Sequence, residues 1–192
     1  MKEVIKMMKI IDFGCGESKY PGSIGVDSDA RGADVIHDMN TYPYPFEDSV
    51  ADIIYCSHTL EHLEHPEKAL EEFARIIKPG GKIVARVPHA SCLGAYAFPL
   101  HKHYFSMHTI NDFIVMASGG GESGRPTKKL KLKIKKIELI PQYWKRNGII
   151  FTLWKILNYP MYLLINTFPQ IYENHFYGIY PIGEVEFTLV GI

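Results

Sequence analysis

Ile10-Ile11-Asp12-Phe13-Gly14-Cys15-Gly16, followed by Gly25-Val26-Asp27, is the stretch that decides the fold. A short apolar strand breaks into glycines, and a second strand ends in a carboxylate. An open α/β sheet builds a nucleoside pocket in this way: the glycines let a ligand touch backbone, and the acid takes the ribose hydroxyls. Working outward, Lys9 to Phe13, Ser23 to Val26, Asp34 to His37, Asp52 to Cys56 and Lys82 to Val87 are short apolar runs bounded by Gly, Pro, Asp or Asn, which predicts strands. Between the last two, a helix opens at Pro66, places Leu70, Phe73 and Ile77 on one face, and stops at Pro79-Gly80-Gly81. Strand, helix, strand units in series give a parallel sheet whose ligands bind beyond the carboxyl ends of the strands. Those ends are Gly14, Asp27, Asp38, Ser57 and Pro88.

Past Val87, Thr109 to Ala117 predicts a helix, and Ser118 to Gly124 a flexible loop extending to about residue 127. Lys129-Leu130-Lys131-Leu132-Lys133-Ile134-Lys135 alternates strictly, as a strand with one buried and one solvated face does. Lysines on such a face protect a sheet edge from further pairing, or else contact phosphate or membrane. Glu186 to Val190 predicts a closing strand. The chain has no internal repeat, and 1–192 reads as a single domain.

With 192 residues, 46% of them apolar, the chain has enough material for one sizeable core. Lys plus Arg and Asp plus Glu both number 21, so no global field steers the molecule toward nucleic acid. Cys15, Cys56 and Cys92 are an odd set without metal spacing, as in a reduced protein, and the charged start Met1-Lys2-Glu3 lacks a signal-peptide core. A cytoplasmic location is expected.

Asp12-Phe13-Gly14-Cys15-Gly16, Gly25-Val26-Asp27, Pro45 to Ile54, Leu60-Glu61-His62-Leu63 and Ile77-Lys78-Pro79-Gly80-Gly81-Lys82 together resemble the motif series of class I S-adenosylmethionine-dependent methyltransferases, specifically the small methyltransferase type 11 group. Order and spacing agree over residues 8 to 90. The resemblance implies a Rossmann-like three-layer α/β sandwich with a mixed, mostly parallel seven-stranded sheet, and S-adenosylmethionine as cofactor. It implies that Asp12, Gly14, Cys15 and Gly16 form the loop against the methionine moiety, and that Asp27, with Ser28 beside it, binds the ribose hydroxyls. A carboxylate suits that task because it accepts from two neighbouring hydroxyls at once. Asp38 matches the position reaching the adenine amino group, with Met39 packing on the ring, while Ser57 and His58 follow the fourth strand where the methyl group emerges. Read as residues alone, Asp27 and Asp38 also suit a helix cap and a strand-ending turn.

The sequence departs from the family plan at one place. Only Glu17 to Ile24 separate Gly16 from Gly25, whereas a parallel crossover with its helix needs about ten to twelve residues. The first helix must be a single turn or absent, and Ser18 stands where a third glycine is usual. A donor without phosphates tolerates this, since there is no phosphate charge for a helix N-terminus to neutralise.

His58-Thr59-Leu60-Glu61-His62 also matches an inverted zinc-protease pattern, which makes a zinc hydrolase a further reading. Such motifs need a long helix, and Pro66 starts a new one too soon, so no metal is expected. His58, His101 and His103 are candidate bases, because imidazole is the side chain whose pKa suits proton removal near neutrality. Methyl transfer is an in-line displacement that positioning alone can drive, so a dedicated base is not required.

Residues 149 to 182 form an aromatic-rich insertion, with Leu153, Leu157, Met161, Leu164 and Phe168 at helical spacing. Lys155, Asn158 and Pro160 exclude a transmembrane helix. Three readings stay open: a lid or core helix, a peripheral membrane contact, and a dimer surface. The lid reading expects Trp154, Tyr159, Tyr162 and Phe168 to line an apolar pocket for a small-molecule or lipid-linked acceptor. An adenosine-ligand-binding protein without methyl transfer is the alternative function; oligomeric state is left open by the sequence.

Overall fold

The computed structural model describes residues 8–120, 130–141 and 147–192, with only the backbone of Phe151. Its centre is one seven-stranded sheet in the order β3-β2-β1-β4-β5-β7-β6. The strands are β1 Ile10–Phe13, β2 Ile24–Asp27, β3 Val35–Ile36, β4 Ala51–Ser57, β5 Ile77–Pro88, β6 Leu132–Pro141 and β7 Ile182–Gly191. β1 to β5 pair in parallel; β7 runs antiparallel to both β5 and β6. This is the mixed, mostly parallel α/β sheet that the family resemblance implies. Strand order reverses at β1, between β2 and β4, so a crevice opens at the carboxyl ends there.

The core forms because each central strand carries β-branched or aromatic residues on buried positions: Ile11 and Phe13, Val26, Ile54, Ile83 and Val87, Val185 and Phe187. Helix α1, Pro66–Ile76, buries Ala69, Leu70, Phe73 and Ile76. Phe73 meets Phe13 at 5.0 Å between ring centroids, and Tyr44 meets Phe13 at 5.1 Å. Burying each such side chain contributes about 1.5–3 kcal/mol before entropy is charged against it. The expected helical position of Ile77 is corrected here. Ile77 is extended, starts β5 and pairs with Ala51, so Ile76 completes the buried stripe, and Pro79-Gly80-Gly81 lies within the irregular start of β5 rather than ending the helix. Arg75 explains why the helix stays registered: it binds Glu72 and reaches the carbonyls of Tyr44 and Phe46, while Glu72 accepts the Tyr44 amide.

No helix joins β1 to β2; the ten residues from Gly14 to Ser23 cross in turns. The loop is held instead by side chains. Asp12 accepts the Tyr20 amide at 2.7 Å, the Tyr20 ring stacks on Tyr55 at 4.2 Å, and Lys19 pairs with Asp34, which also accepts the Gly25 amide.

Three further helices are α2 Leu93–Ala97, α3 Thr109–Ala117 and α4 Ile149–Thr167, followed by the short α5 Pro169–Ile171 and a π-helical turn, Tyr172–Phe176. α3 has the predicted bounds, and α1 and α3 pack on each other. Among the described residues, the lysine-bearing strand β6 is a sheet edge that pairs with β7 alone. Ser118 to Gly120 follow α3 as a turn; the rest of the predicted loop, 121–127, lies outside the described residues. α4 runs through Pro160 instead of breaking there. Among the described residues, no helix is long and apolar enough to cross a membrane.

Candidate functional site

Gly14, immediately after β1, sits at φ +70°, a left-handed conformation that glycine adopts without strain. A Cβ there would sit 2.0 Å from Thr59 Oγ1, so the backbone of β1 and the turn after β4 approach as closely as a missing side chain allows. Gly16, at φ +54°, then donates its amide to Asp27 Oδ2 at 2.8 Å, and the Asp29 amide reaches Asp27 Oδ1 at 3.0 Å. Each oxygen keeps a lone pair, so Asp27 is oriented by backbone yet still able to accept from a ligand.

A cleft of about 250 Å³ opens at these strand ends. Gly14, Asp27, Ser28, Asp38, Met39 and His58 line it, all of them expected from sequence. Thr59, His62 and Leu63, from the turn after β4 that the family resemblance implies at the donor site, and Asn40 complete the lining. Asn40 accepts the Glu64 amide, tying the 38–40 turn to the far wall, and Tyr44 donates to the Met39 carbonyl from a buried position. Met39 is buried below, and the two carboxylates Asp27 and Asp38 give the cleft a negative wall. A nucleoside with a positively charged substituent fits such a space: backbone exposed at a glycine, a carboxylate with free acceptors, and an apolar side chain beneath.

Asp12, Cys15, Gly16 and Ser57 do not line the cleft. Asp12 turns to the Tyr20 amide; burial pushes its carboxyl up, an effect the Tyr20 amide opposes and Asp27 reinforces. Cys15 is buried, and burial together with Asp12 and Asp27 raises its thiol above the usual range, which favours the thiol over the thiolate. Ser57 lies in β4, its carbonyl accepting from Thr59.

The three candidate bases separate. His58 sits at φ +54°, turning the chain sharply out of β4, and its ring lies between Glu184 (3.2 Å) and Glu61 (3.3 Å). The bond to Glu184 and then the contact with Glu61 push its pKa up to about 9, so at neutral pH it already holds a proton. As a cation it can donate but not act as a base. His101 gives Nδ1 to the Ala95 carbonyl and His103 gives Nε2 to the Leu63 carbonyl; neither lines the cleft. His58, Glu61 and His62 do not share a helix, since only Leu60–His62 forms a single 3₁₀ turn.

A second, partly open hollow of about 290 Å³ lies within the insertion between Met161, Leu164, Phe168, Ile171, Tyr172 and Phe176 with their neighbours, and shares no lining residue with the cleft. Of the four expected lid residues only Phe168 lines it. Tyr162 instead donates to Glu138 on β6, Tyr159 packs near Tyr162, and Trp154 accepts from Asn158 through its carbonyl.

Residues 26–85, under a third of the chain, match the family model described as a methyltransferase domain. This is the class I methyltransferase fold. A crystal structure of an S-adenosylmethionine-dependent methyltransferase from Archaeoglobus fulgidus superposes with a TM-score of 0.59 at 18% identity, covering 96% of this chain and 86% of that one. Phosphoethanolamine N-methyltransferase 2 of Haemonchus contortus, solved with S-adenosyl-L-methionine, gives 0.56 at 14% identity, covering 96% and 48%. Among curated proteins, a sterol 4-C-methyltransferase of Caenorhabditis elegans is 40% identical over 40 residues, 21% of this chain and 12% of that protein. The family match begins at Val26, beyond the glycine loop and the shortened connection that depart from the usual methyltransferase plan.

Proposed function

We propose that this protein binds S-adenosylmethionine in the strand-end cleft and transfers its methyl group to an acceptor with a substantial apolar part. The observation that carries the donor reading is the shared space of the Gly14 backbone and the Asp27 carboxylate, at the point where strand order reverses. In this reading Asp27 takes the ribose hydroxyls with Ser28 beside it, Asp38 the adenine amino group, and Met39 the ring face; Asp12, Cys15, Gly16 and Ser57 shape the loop and strand end that hold these residues. When bound, the donor supplies a methyl group on a positively charged sulfur. The chain supplies position and an acidic wall that favours that cation.

The apolar cavity under α4 supports the acceptor reading, as does the sterol substrate in the name of the matched relative. A small-molecule or lipid-linked acceptor with a ring system, acyl chain or isoprenoid would use such a surface, whereas a small ionic one would not. Peripheral membrane contact through α4 belongs to the same reading.

Calorimetric titration with S-adenosylmethionine and S-adenosylhomocysteine tests the site. Asp27→Ala is expected to lower affinity by about ten- to a hundredfold, the loss of about 1.5–3 kcal/mol for hydrogen bonds to a charged acceptor. Asp27→Asn, which keeps one acceptor oxygen, should fall between. Unchanged affinity in Asp27→Ala would remove the ribose assignment. Acceptor-dependent formation of S-adenosylhomocysteine, assayed with sterols, isoprenoids and intact membranes, then tests transfer; donor binding without any turnover would favour the adenosine-ligand-binding alternative.

A further inference from the structure

Glu61 is 1% exposed, and among the described residues neither of its carboxylate oxygens receives a hydrogen bond. The His58 cation forms an ion pair with Oε1 at 3.3 Å without an aligned hydrogen bond, which leaves Oε2 with no donor. Buried carboxylates in folded proteins are satisfied, so one without a donor is a place for an ion or an ordered water. Two imidazoles face the same spot. One ring nitrogen of His62, one of His101 and a Glu61 oxygen all lie within 4.8 Å of one another, and the two rings have centroids 4.9 Å apart.

The tautomers follow from the neighbours. His62 Nδ1 lies 3.1 Å from the Leu100 carbonyl and His101 Nδ1 lies 2.9 Å from the Ala95 carbonyl. A carbonyl can only accept, so each Nδ1 carries the proton and each Nε2 keeps an unshared pair. A backbone carbonyl that holds one ring N–H leaves the other nitrogen able to ligate, as in metal-binding histidines. We propose that Glu61, His62 and His101 bind a divalent transition cation. Two imidazoles and one carboxylate suit Zn²⁺ or Fe²⁺ and leave coordination positions open.

His58, Glu61 and His62 would need one long helix to share a metal, and the chain does not provide it. The structure selects a different trio: the amides of Lys102 and His103 bond to the Glu61 carbonyl, and this carries His101 in from a distant segment. His62 also lines the donor cleft, so the cation would stand at its border, where an acceptor oxygen could complete the coordination. That last role rests on the methyltransferase reading; the metal site does not.

The test uses the full chain, untagged and stripped with chelator. Zn²⁺ titrated by calorimetry should bind at one cation per chain, with a matching rise in melting temperature. Co²⁺ should give visible absorption bands of a low-coordinate site. His101→Ala and Glu61→Gln should each weaken binding by about tenfold or more, at least as much as losing an outer-shell partner of a metal site. His103→Ala, on the same segment but outside the trio, should leave it unchanged. Circular dichroism identifies a variant that fails to fold, and His101→Gln then replaces it. Absence of saturable Zn²⁺ binding, or binding that survives His101→Ala, overturns the proposal. S-adenosylmethionine titrated into the same samples reads the donor site separately, so failure of one inference leaves the other standing.

Discussion

The strand-end cleft and the α4 segment are built by opposite means. In the cleft every wall is fixed by packing or backbone bonds: Gly14 against Thr59, Asp27 held by two amides, Met39 by the buried Tyr44 hydroxyl. α4 buries Ile165 while Ile149 and Leu157 are each 80% exposed. It is fastened to the sheet edge by polar clasps. Asn166 exchanges two hydrogen bonds with the Leu139 backbone, Tyr162 donates to Glu138, and Tyr180 reaches Asn158 from the following segment. A region fixed by close approach has one usable geometry, which suits a ligand that never changes. A region held by a few polar contacts opens locally at lower cost, which suits an acceptor that must enter and leave.

The largest effect that would break this contrast is at Gly14. An alanine Cβ meets Thr59 Oγ1 at 2.0 Å and must also hold φ +70°, so Gly14→Ala should destabilise by about 2–5 kcal/mol and abolish donor binding. Gly16→Ala has a positive φ but open space, and should cost only about 1–2 kcal/mol. Denaturant unfolding of the two variants compares them directly. Equal losses would mean that conformation, not close approach, governs the cleft wall.

Next is the joint between the regions. Glu173, in the turn after α5, accepts from His89 Nε2 at 2.8 Å and from the Met107 amide at 2.7 Å. Burial raises its carboxyl pKa, but these two bonds together with the nearby imidazoles of His89 and His108 outweigh it, and the net shift is downward from 4.5. A lowered folded-state pKa gives stability that is present above the unfolded value and lost as pH falls through the folded one. Thermal melts run from neutral into the acid range should therefore decline less steeply in Glu173→Gln than in the original chain. At neutral pH that variant should be less stable by about 1–3 kcal/mol. Parallel acid profiles would show that the joint does not depend on this carboxylate.

Asn166→Leu removes the double bond to Leu139 and should cost about 1–2 kcal/mol. The sharper outcome is its location. Amide exchange should quicken through α4 and at Leu139 while donor affinity stays the same. Slower donor binding or faster exchange in β1 would tie the two regions more closely than their contacts suggest.

What the sequence made legible follows from what periodicity can carry. Strands β1 to β5, the α1 face and the missing first helix are local: each is set by alternation, a proline start or a chain too short to turn. Ile77 was misplaced by one position, because pairing with Ala51 takes it from the helix into the sheet. Pro160 was read as a break, yet the helix continues through it. The places of Thr59, His62 and Leu63 in the cleft are set by the left-handed turn at His58 and the short turn after it, and that of Asn40 by its bond to the Glu64 amide, which no periodicity encodes. The His62 and His101 pairing was hidden for the same reason: it is made by backbone bonds between segments distant in sequence, and no spacing rule encodes it.

The smallest expected effect is on the outer face of α4, and it separates the readings of that helix. Leu157 is 80% exposed, so Leu157→Gln should change stability by no more than about 0.5 kcal/mol, the ordinary range for a surface position. Donor affinity should also hold, since the cleft shares no residue with this face. If the face meets lipid, sedimentation with phospholipid vesicles should fall in the variant and transfer to a lipid-linked acceptor with it. A concentration-dependent drop in melting temperature would instead mean that a second copy of the chain covers Leu157, because only burial in an assembly makes that side chain matter to stability. A surface that is silent in the isolated chain thus becomes informative through what it touches.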